Sequence, residues 1–475
     1  MKAIGDTLPR RFKAKASGAI TAGKPVIIET DGNVAQVELP SPSAGASTLF
    51  HDARTGSPDV AYDSTAQKIV VFYQDIDNSS YPTAQVGTVS GTSISFGTAT
   101  VIESQSGEGF SATFDSNAEK VVVAYRQGTT SGKCAIGTVS GTSISFGTPV
   151  VFESARVDNI AIAFDSDENR IVIAYRDRGN SNQGTAIAGS VSGTSISFGS
   201  PVVFQSGDTT GGYGATYDST AQKVVVGFRY NSQGKAIVFD VNNTTLTYGT
   251  AVDFTSNNAL DISLTHDSTS GKNILVFRDI TDTDGKAVVG TVTASDNSIS
   301  FGTVQTFKDN AVDDCRVIYD SVANNVLILY EDTSGTTKLS FLSATLSDTT
   351  LTFGSSIDIV SEDASQPRIA YDANAAKHVA VYSASTDSDK GKYAVLTNGS
   401  TNLTSENYIG IAEYAAADTE TATVLIKGGV SPDQSSLTPG QTYFVQTDGT
   451  LALTADSPSV IAGTAVTSTK LIVKG

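Results

Sequence analysis

The stretch FSATFDSNAEKVVVAYRQGTTSGKCAIGTVSGTSISFGTPVVFES, residues 110–154, decides the fold of this chain. It holds four short segments rich in β-branched and aromatic residues: FSATFDS (110–116), KVVVAYR (120–126), KCAIGTVSG (133–141) and ISFGTPVVFES (144–154). Segments of this kind, bounded by Gly, Asn, Asp and Ser, read as strands, and no helical apolar period competes with that reading. DSNAEK joins the first two, and its Asp115 is placed to accept from backbone N–H groups of its own turn. SGTS joins the last two as a hairpin with Gly141 at the turn. Four antiparallel strands in about 50 residues make one propeller blade.

The unit returns along the chain. An aromatic residue or His followed by Asp recurs at Tyr62-Asp63, Phe114-Asp115, Phe164-Asp165, Tyr217-Asp218, His266-Asp267, Tyr319-Asp320 and Tyr371-Asp372, at intervals of 49 to 53 residues. The following turn recurs as DSTAQK, DSDENR, DSTSGK and DANAAK. Seven units predict an all-β, seven-bladed β-propeller, since a closed ring leaves only short strand edges where a solenoid leaves two open ends. A closing strand is legible too. LFHD (49–52) stands before Asp63 as VIES (101–104) stands before Asp115, whereas the seventh unit loses its SFG-type fourth strand after Tyr393–Thr397. The segment 46–52 is therefore expected to complete blade seven, with Asn402–Gly410 as the other candidate.

Outside the repeats, AITAGKPVIIETDGNVAQ (19–36) and SLTPGQTYFVQTDGTLAL (436–453) share T-x-G, an apolar strand and T-D-G. Asp-Gly between apolar runs signals a hairpin. Two such hairpins predict a small β-domain with pseudo-twofold symmetry, formed by the N- and C-terminal segments with the propeller inserted between them. The expected bounds are 1–43, 44–400 and 401–475. Strand direction places this base domain on the face with uniform turns. The divergent connections, DIDNSSYPT (75–83), DRGNSNQGT (177–185), SGDTTGGYG (206–214) and DITDTDGK (279–286), then lie on the far face as a contact surface.

A net charge of −18 disfavours binding to free nucleic acid, which needs clustered Lys and Arg. No apolar h-region opens the chain and no run of 18 apolar residues exists, so no secretory signal or membrane partner is expected. Cys134 and Cys315 are far apart and read as free thiols.

YIGIAEYAAADTETATVLIKGGV, LTPGQTYFVQTDGTL and AGTAVTSTKLIVKG resemble the C-terminal β-module of tailed-phage virion proteins of the head-decoration, head-fibre and tail-fibre kinds. KASGAITAGKPVIIETDG is similar to the opening of the same module, and the VSGTSISFG repeats resemble marine and cyanophage structural proteins. The resemblance implies a non-enzymatic structural protein located in the virion and assembled in the host cytoplasm. Its implied partners are other capsid or tail proteins, its implied form a homo-oligomer, a trimer above others. It carries no catalytic residue and no cofactor. A receptor-binding tail fibre or lectin recognising host-surface glycans is the alternative.

Four arginines, Arg126, Arg176, Arg229 and Arg278, fall at equivalent places at the end of the second strand, where the other units have Gln74, Glu331 and Ser383. They form either a basic ring able to hold an acidic glycan through forked donors or inter-blade pairs with Asp. Tyr81, Tyr213 and Tyr230 stand in or beside divergent loops, where rings can stack on sugars. Arg10, Arg11, Lys13 and Lys15 belong to a basic N-terminal arm, either docked on an acidic virion surface or solvated as a tail. The repeated Asp residues are read as turn formers, and no metal site is expected: His51, His266 and His378 are scattered, and neither DITDTDGK nor TDSDKGK fits a calcium loop. Sialidase Asp-boxes need Trp, which this chain lacks. Two placed carboxylates would suffice for glycoside hydrolysis, so a depolymerase stays open as a third class.

Overall fold

The computed structural model describes residues 10–38, 42–399, 402–455 and 458–474. Two compact units emerge, Met1–Ser41 with Gly399–Gly475 and Pro42–Asn398. The chain is all-β, and the second unit is a seven-bladed β-propeller. In blade two, Gly107–Asp115, Lys120–Gln127 and Ser131–Ser140 run antiparallel, and the third strand then pairs with both Ser143–Phe146 and Val150–Glu153. The fourth strand thus comes in two pieces, where the sequence suggested one. Gly147 marks the break. A Cβ there would overlap the carbonyl oxygen of Thr194 in the hairpin turn of blade three, and Gly97, Gly199 and Gly249 meet Thr142, Thr244 and Asn297 in the same way. The glycine of each SFG motif is therefore the point where one blade touches the next.

Burial explains the sequence pattern of each strand. The second strand is covered by neighbouring blades on both faces, so Val121–Tyr125 and Ile171–Tyr175 are fully buried as continuous apolar runs. Each such side chain contributes about 1.5–3 kcal/mol by leaving water. Fourth strands face solvent and alternate instead, as in the Ser143–Phe146 piece, where Ile144 alone is buried. Both cysteines are buried free thiols.

All seven repeated aspartates shape their turns. Asp63 Oδ1 accepts from Thr65 N at 3.0 Å and Ala66 N at 2.8 Å, and Asp115, Asp165, Asp218, Asp267, Asp320 and Asp372 repeat the pair. These carboxylates are almost wholly buried, which makes the two N–H donors necessary.

Ring closure comes from the N-terminal side. Ser43–Ala44 pairs with Leu396 and Thr397, and the opening of Thr48–Asp63 pairs with Lys390–Thr397. One strand, Thr48–Asp63, is outermost in blade seven at its start and innermost in blade one at its end. The competing segment goes elsewhere: Tyr408–Ala412 pairs with Pro25–Ile28 and Thr421–Leu425 in the other unit.

That unit holds both expected hairpins, Pro25–Ile28 with Val34–Gln36 and Thr442–Val445 with Leu451–Ala452. In each, the Asp of T-D-G caps the turn, Asp31 accepting from Asn33 N at 2.9 Å and Asp448 from Thr450 N at 2.8 Å. Each hairpin is part of a five-stranded sheet rather than half of a two-hairpin domain. One sheet is ordered Arg11–Lys15, Thr421–Leu425, Tyr408–Ala412, Pro25–Ile28, Val34–Gln36; the other Val430–Ser431, Lys470–Val473, Val460–Thr467, Thr442–Val445, Leu451–Ala452. A shared core of Ile27, Val37, Ile411, Tyr443, Val445 and Leu471 joins them. Two hairpins expose too many backbone groups to stand alone, and three further strands in each sheet satisfy them.

Candidate functional site

The first strands of the blades contact one another in a ring, with Ala364–Asp372 meeting Thr48–Asp63 to close it. They line a central cavity of about 660 Å³. A bulge interrupts every one of these strands at the same place. Its first residue lies in the left-handed region each time: Ser57, Gly109, Asn159, Gly211, Asp261, Asp314 and Gln366, with φ between 40° and 82°. Bulges turn side chains off the regular alternation, here toward the axis. Five of the seven positions are not glycine, so they hold a backbone that L side chains adopt at a cost.

The backbone of this ring is uniform, but its chemistry is not. Two successive rings of equivalent positions carry their charges in blades five, six, seven and one: Asp261, Asp314, Arg316, Arg368 and Asp59. The opposite wall, in blades two to four, carries no charge: it is small at Gly109, Ala161, Gly211 and Gly214 and holds the uncharged polar residues Ser111 and Asn159. Arg316 Nη2 donates to Asp314 Oδ1 at 2.5 Å, while Arg368 lies 3.9 Å from Asp59 and 3.8 Å from Asp314. Burial pushes the Asp59 carboxyl up to about 6, against the opposing pull of Arg368. Burial, and then the nearby Asp314, raise Asp261 to about 6 as well. None of these five residues stood out in the sequence. Alignment of the seven units on their turn aspartates was the signal that would have found them, because the bulge positions diverge where their neighbours repeat.

A second cavity of about 390 Å³ shares Ser57, Gly109, Asn159, Ile160 and Gly211 with the first. Arg126, Arg156 and Arg176 line it around Asp158. Asp158 pairs with Arg126, with Arg156 at 3.2 Å, with Arg178 at 3.0 Å and with Arg176 at 3.7 Å. Glu108 also pairs with Arg126, and Asp208 with Arg176 at 2.6 Å. Four guanidiniums against three carboxylates leave a locally positive spot in a strongly acidic chain.

The structure separates the other candidates. Arg126, Arg176 and Arg278 make the inter-blade pairs anticipated as one reading of the ring, Arg278 with Asp313 at 2.7 Å. Arg229 instead donates to Thr210 Oγ1 of its own blade at 2.8 Å, because Leu260 occupies the place that Asp158 and Asp313 hold elsewhere. Only Arg126 and Arg176 of the four line the basic cavity. Tyr213 is not a stacking platform: it sits within the strand Thr209–Asp218, about nine-tenths buried against Phe204 and Phe228. The glycine-rich GGYG placed it in a loop on paper, but the glycines form the bulge and turn the ring into the core. Tyr81 opens the third strand of blade one and Tyr230 closes the second of blade four, both half-buried.

The basic arm is not a tail over its described part. Arg11–Lys15 is an edge strand paired with Thr421–Leu425, with Arg11, Lys13 and Lys15 on its exposed side and Arg10 just before it. Arg11 forks onto Glu413, Nε to Oε2 at 2.5 Å. Residues 1–9 lie outside the described residues.

No family model matches the chain. No curated protein matches it either. Among solved structures, it is similar to the BP39L lectin from Burkholderia pseudomallei, at 7% identity and TM-score 0.56 over 74% of this chain and 99% of that one. It is also similar to a mutant of the NanB sialidase from Streptococcus pneumoniae, at 10% identity and TM-score 0.45 over 75% and 70%. AofleA from Arthrobotrys oligospora aligns at 8% identity and TM-score 0.42 over 72% and 96%. At such identities the likeness to the lectin is one of fold: this chain carries a β-propeller of the kind that lectin has.

Proposed function

We propose that this chain is a non-enzymatic virion protein whose base unit attaches it to the particle and whose propeller binds acidic glycans of the host surface. The observation that carries the binding role is the basic cavity at Asp158, where four arginines converge in a chain of net charge −18. Guanidinium forks suit the carboxylate or sulfate of an acidic sugar. Each carboxylate of that cavity is paired with an arginine, which leaves none placed as a proton donor for bond cleavage.

Two features support attachment and self-association through the base. The base segments hold nine basic and eleven acidic residues, net −2, against 22 and 38, net −16, in the propeller, whose copies repel one another. The second base sheet also exposes Val430, Ile461 and Ile472 on one face. A symmetric oligomer, a trimer by resemblance, would bury that row.

Glycan-array binding by the full chain tests the reading. Retention of acidic glycans that is lost in Arg126→Ala with Arg176→Ala supports it; no retained glycan, or retention unchanged in the double variant, refutes it. Antibody labelling of particles tests the virion role, and unlabelled particles refute it. A depolymerase is the second reading, favoured by the raised carboxyls of Asp59 and Asp261, and it predicts reducing ends released from host polysaccharide.

A further inference from the structure

The central cavity is distinct in chemistry from the basic one beside it. Its charged wall sets three carboxylates, Asp59, Asp261 and Asp314, against two guanidiniums, Arg316 and Arg368. An anion entering would face the carboxylates and a cation the guanidiniums. Among the described residues, no group of His, Cys, Asp or Glu has the arrangement to hold a metal ion.

Donors and acceptors stay open on that wall. No hydrogen bond or ion pair reaches the Asp261 carboxylate among the described residues. Arg368 spends Nη1 on its neighbour's carbonyl, Pro367 O, at 2.9 Å, and its distances to Asp59 and Asp314 are too long for hydrogen bonds. Open acceptors beside open donors on a fixed frame suit adjacent hydroxyls, each of which gives one hydrogen bond and takes another. The facing wall is uncharged, small at Gly109, Ala161, Gly211 and Gly214 with further hydrogen-bonding groups at Ser111 and Asn159, and leaves room for a sugar ring. A volume of about 660 Å³ lies within the roughly 300–1,000 Å³ of small-molecule sites.

We propose that the central channel is a second binding site, taking the uncharged, hydroxyl-rich end of a glycan between Asp261, Arg368 and Asp59. The proposal rests on the glycan-binding reading and names the neutral part of the ligand, with the acidic part left to the Asp158 cavity. Ser57, Gly109 and Gly211 line both cavities, so the two adjoin and an oligosaccharide reaching over that rim would engage both.

The test is ligand-observed NMR on the full chain with two probes, a panel of neutral methyl hexosides and N-acetylneuraminic acid. Asp261→Asn and Arg368→Gln are expected to weaken neutral-hexoside binding at least tenfold and leave N-acetylneuraminic acid unchanged; Arg126→Ala is expected to do the reverse. Asp261→Asn guards against a folding artefact, since it removes a buried carboxylate with no partner, and melting no lower than wild type confirms an intact ring. Wild-type protein that binds N-acetylneuraminic acid but no hexoside overturns the channel site and leaves the acidic-glycan reading standing. Hexoside binding unaffected by both channel variants overturns it too. Hexoside binding that follows Asp261 and Arg368 without any N-acetylneuraminic acid binding upholds the channel and refutes the basic cavity.

Discussion

Replacement of Glu331 by Gln is expected to stabilise the propeller, by an amount that grows with pH. Glu331 ends the second strand of blade six, where four other blades place Arg, and it lies directly across the ladder from Asp313. Its side chain is buried and its Oε1 has no partner. Burial first, then the charges of Asp314, Asp313, Asp363 and Asp261, raise it from 4.5 to about 9. The folded chain therefore keeps this proton between pH 4.5 and about 9 while the unfolded chain gives it up. Over that window the native state binds more protons, so stability falls as pH rises. At pH 7 roughly 2.5 pH units of the window have been crossed, worth about 3 kcal/mol at 1.36 kcal/mol per unit as a ceiling, and about half of that once the site relaxes. Gln keeps the shape and cannot ionise. With about 2.1 cal/mol/K of unfolding entropy per residue over Pro42–Asn398, the variant should melt roughly 2–4 °C higher at pH 7. The gap should widen toward pH 9 and vanish near pH 4.5. Asp59 and Asp261 titrate in both proteins, so their contributions cancel in the difference. Differential scanning calorimetry from pH 4.5 to 9 measures it. Equal melting at every pH, or a Gln variant that melts lower at pH 8, would refute the buried, proton-holding carboxyl.

Substitutions at three further positions probe the frame. Gly147→Ala puts a methyl group against the Thr194 carbonyl of the next blade and should cost about 1–3 kcal/mol; melting unchanged from wild type would show that the blades do not meet there. Asp115→Ala takes the shared acceptor from the N–H groups of Asn117 and Ala118 in their turn and should cost about 1 kcal/mol by urea denaturation, with Asn in its place recovering part of the loss. Tyr213→Phe removes the buried hydrogen bond its hydroxyl donates to Thr209 Oγ1 and should cost about 1 kcal/mol while leaving glycan retention intact, whereas Tyr213→Ala should cost about 3–5 kcal/mol; glycan binding lost in the Phe variant would return Tyr213 to the surface.

The repeat was legible because its causes are local. An Asp that accepts two N–H groups two and three residues on, a glycine at a hairpin turn, and a strand buried on both faces all leave their mark within a few positions. Seven copies of the mark count the blades, and the unpaired LFHD offers one of two candidate strands for closing the ring. The arginine series was visible for the same reason, and of its two readings the structure shows pairing with the following blade in three of four cases.

Other features depend on residues brought together only by the closed ring. Asp59, Asp261, Asp314, Arg316 and Arg368 span most of the chain and meet at the axis. The bulge that points them there breaks the alternation from which strand faces are read, and the same bulge took Tyr213 out of its supposed loop into the core. The base sheets likewise needed 408–425 and 460–473 to find the two hairpins, a pairing across hundreds of residues for Pro25–Ile28. Short-range hydrogen bonding and burial are written in the order of residues, so sequence alone determined the blade and its number and narrowed the closing strand to two segments. Which charges share one cavity depends on where a closed ring returns the chain in space, and that only the tertiary structure decided.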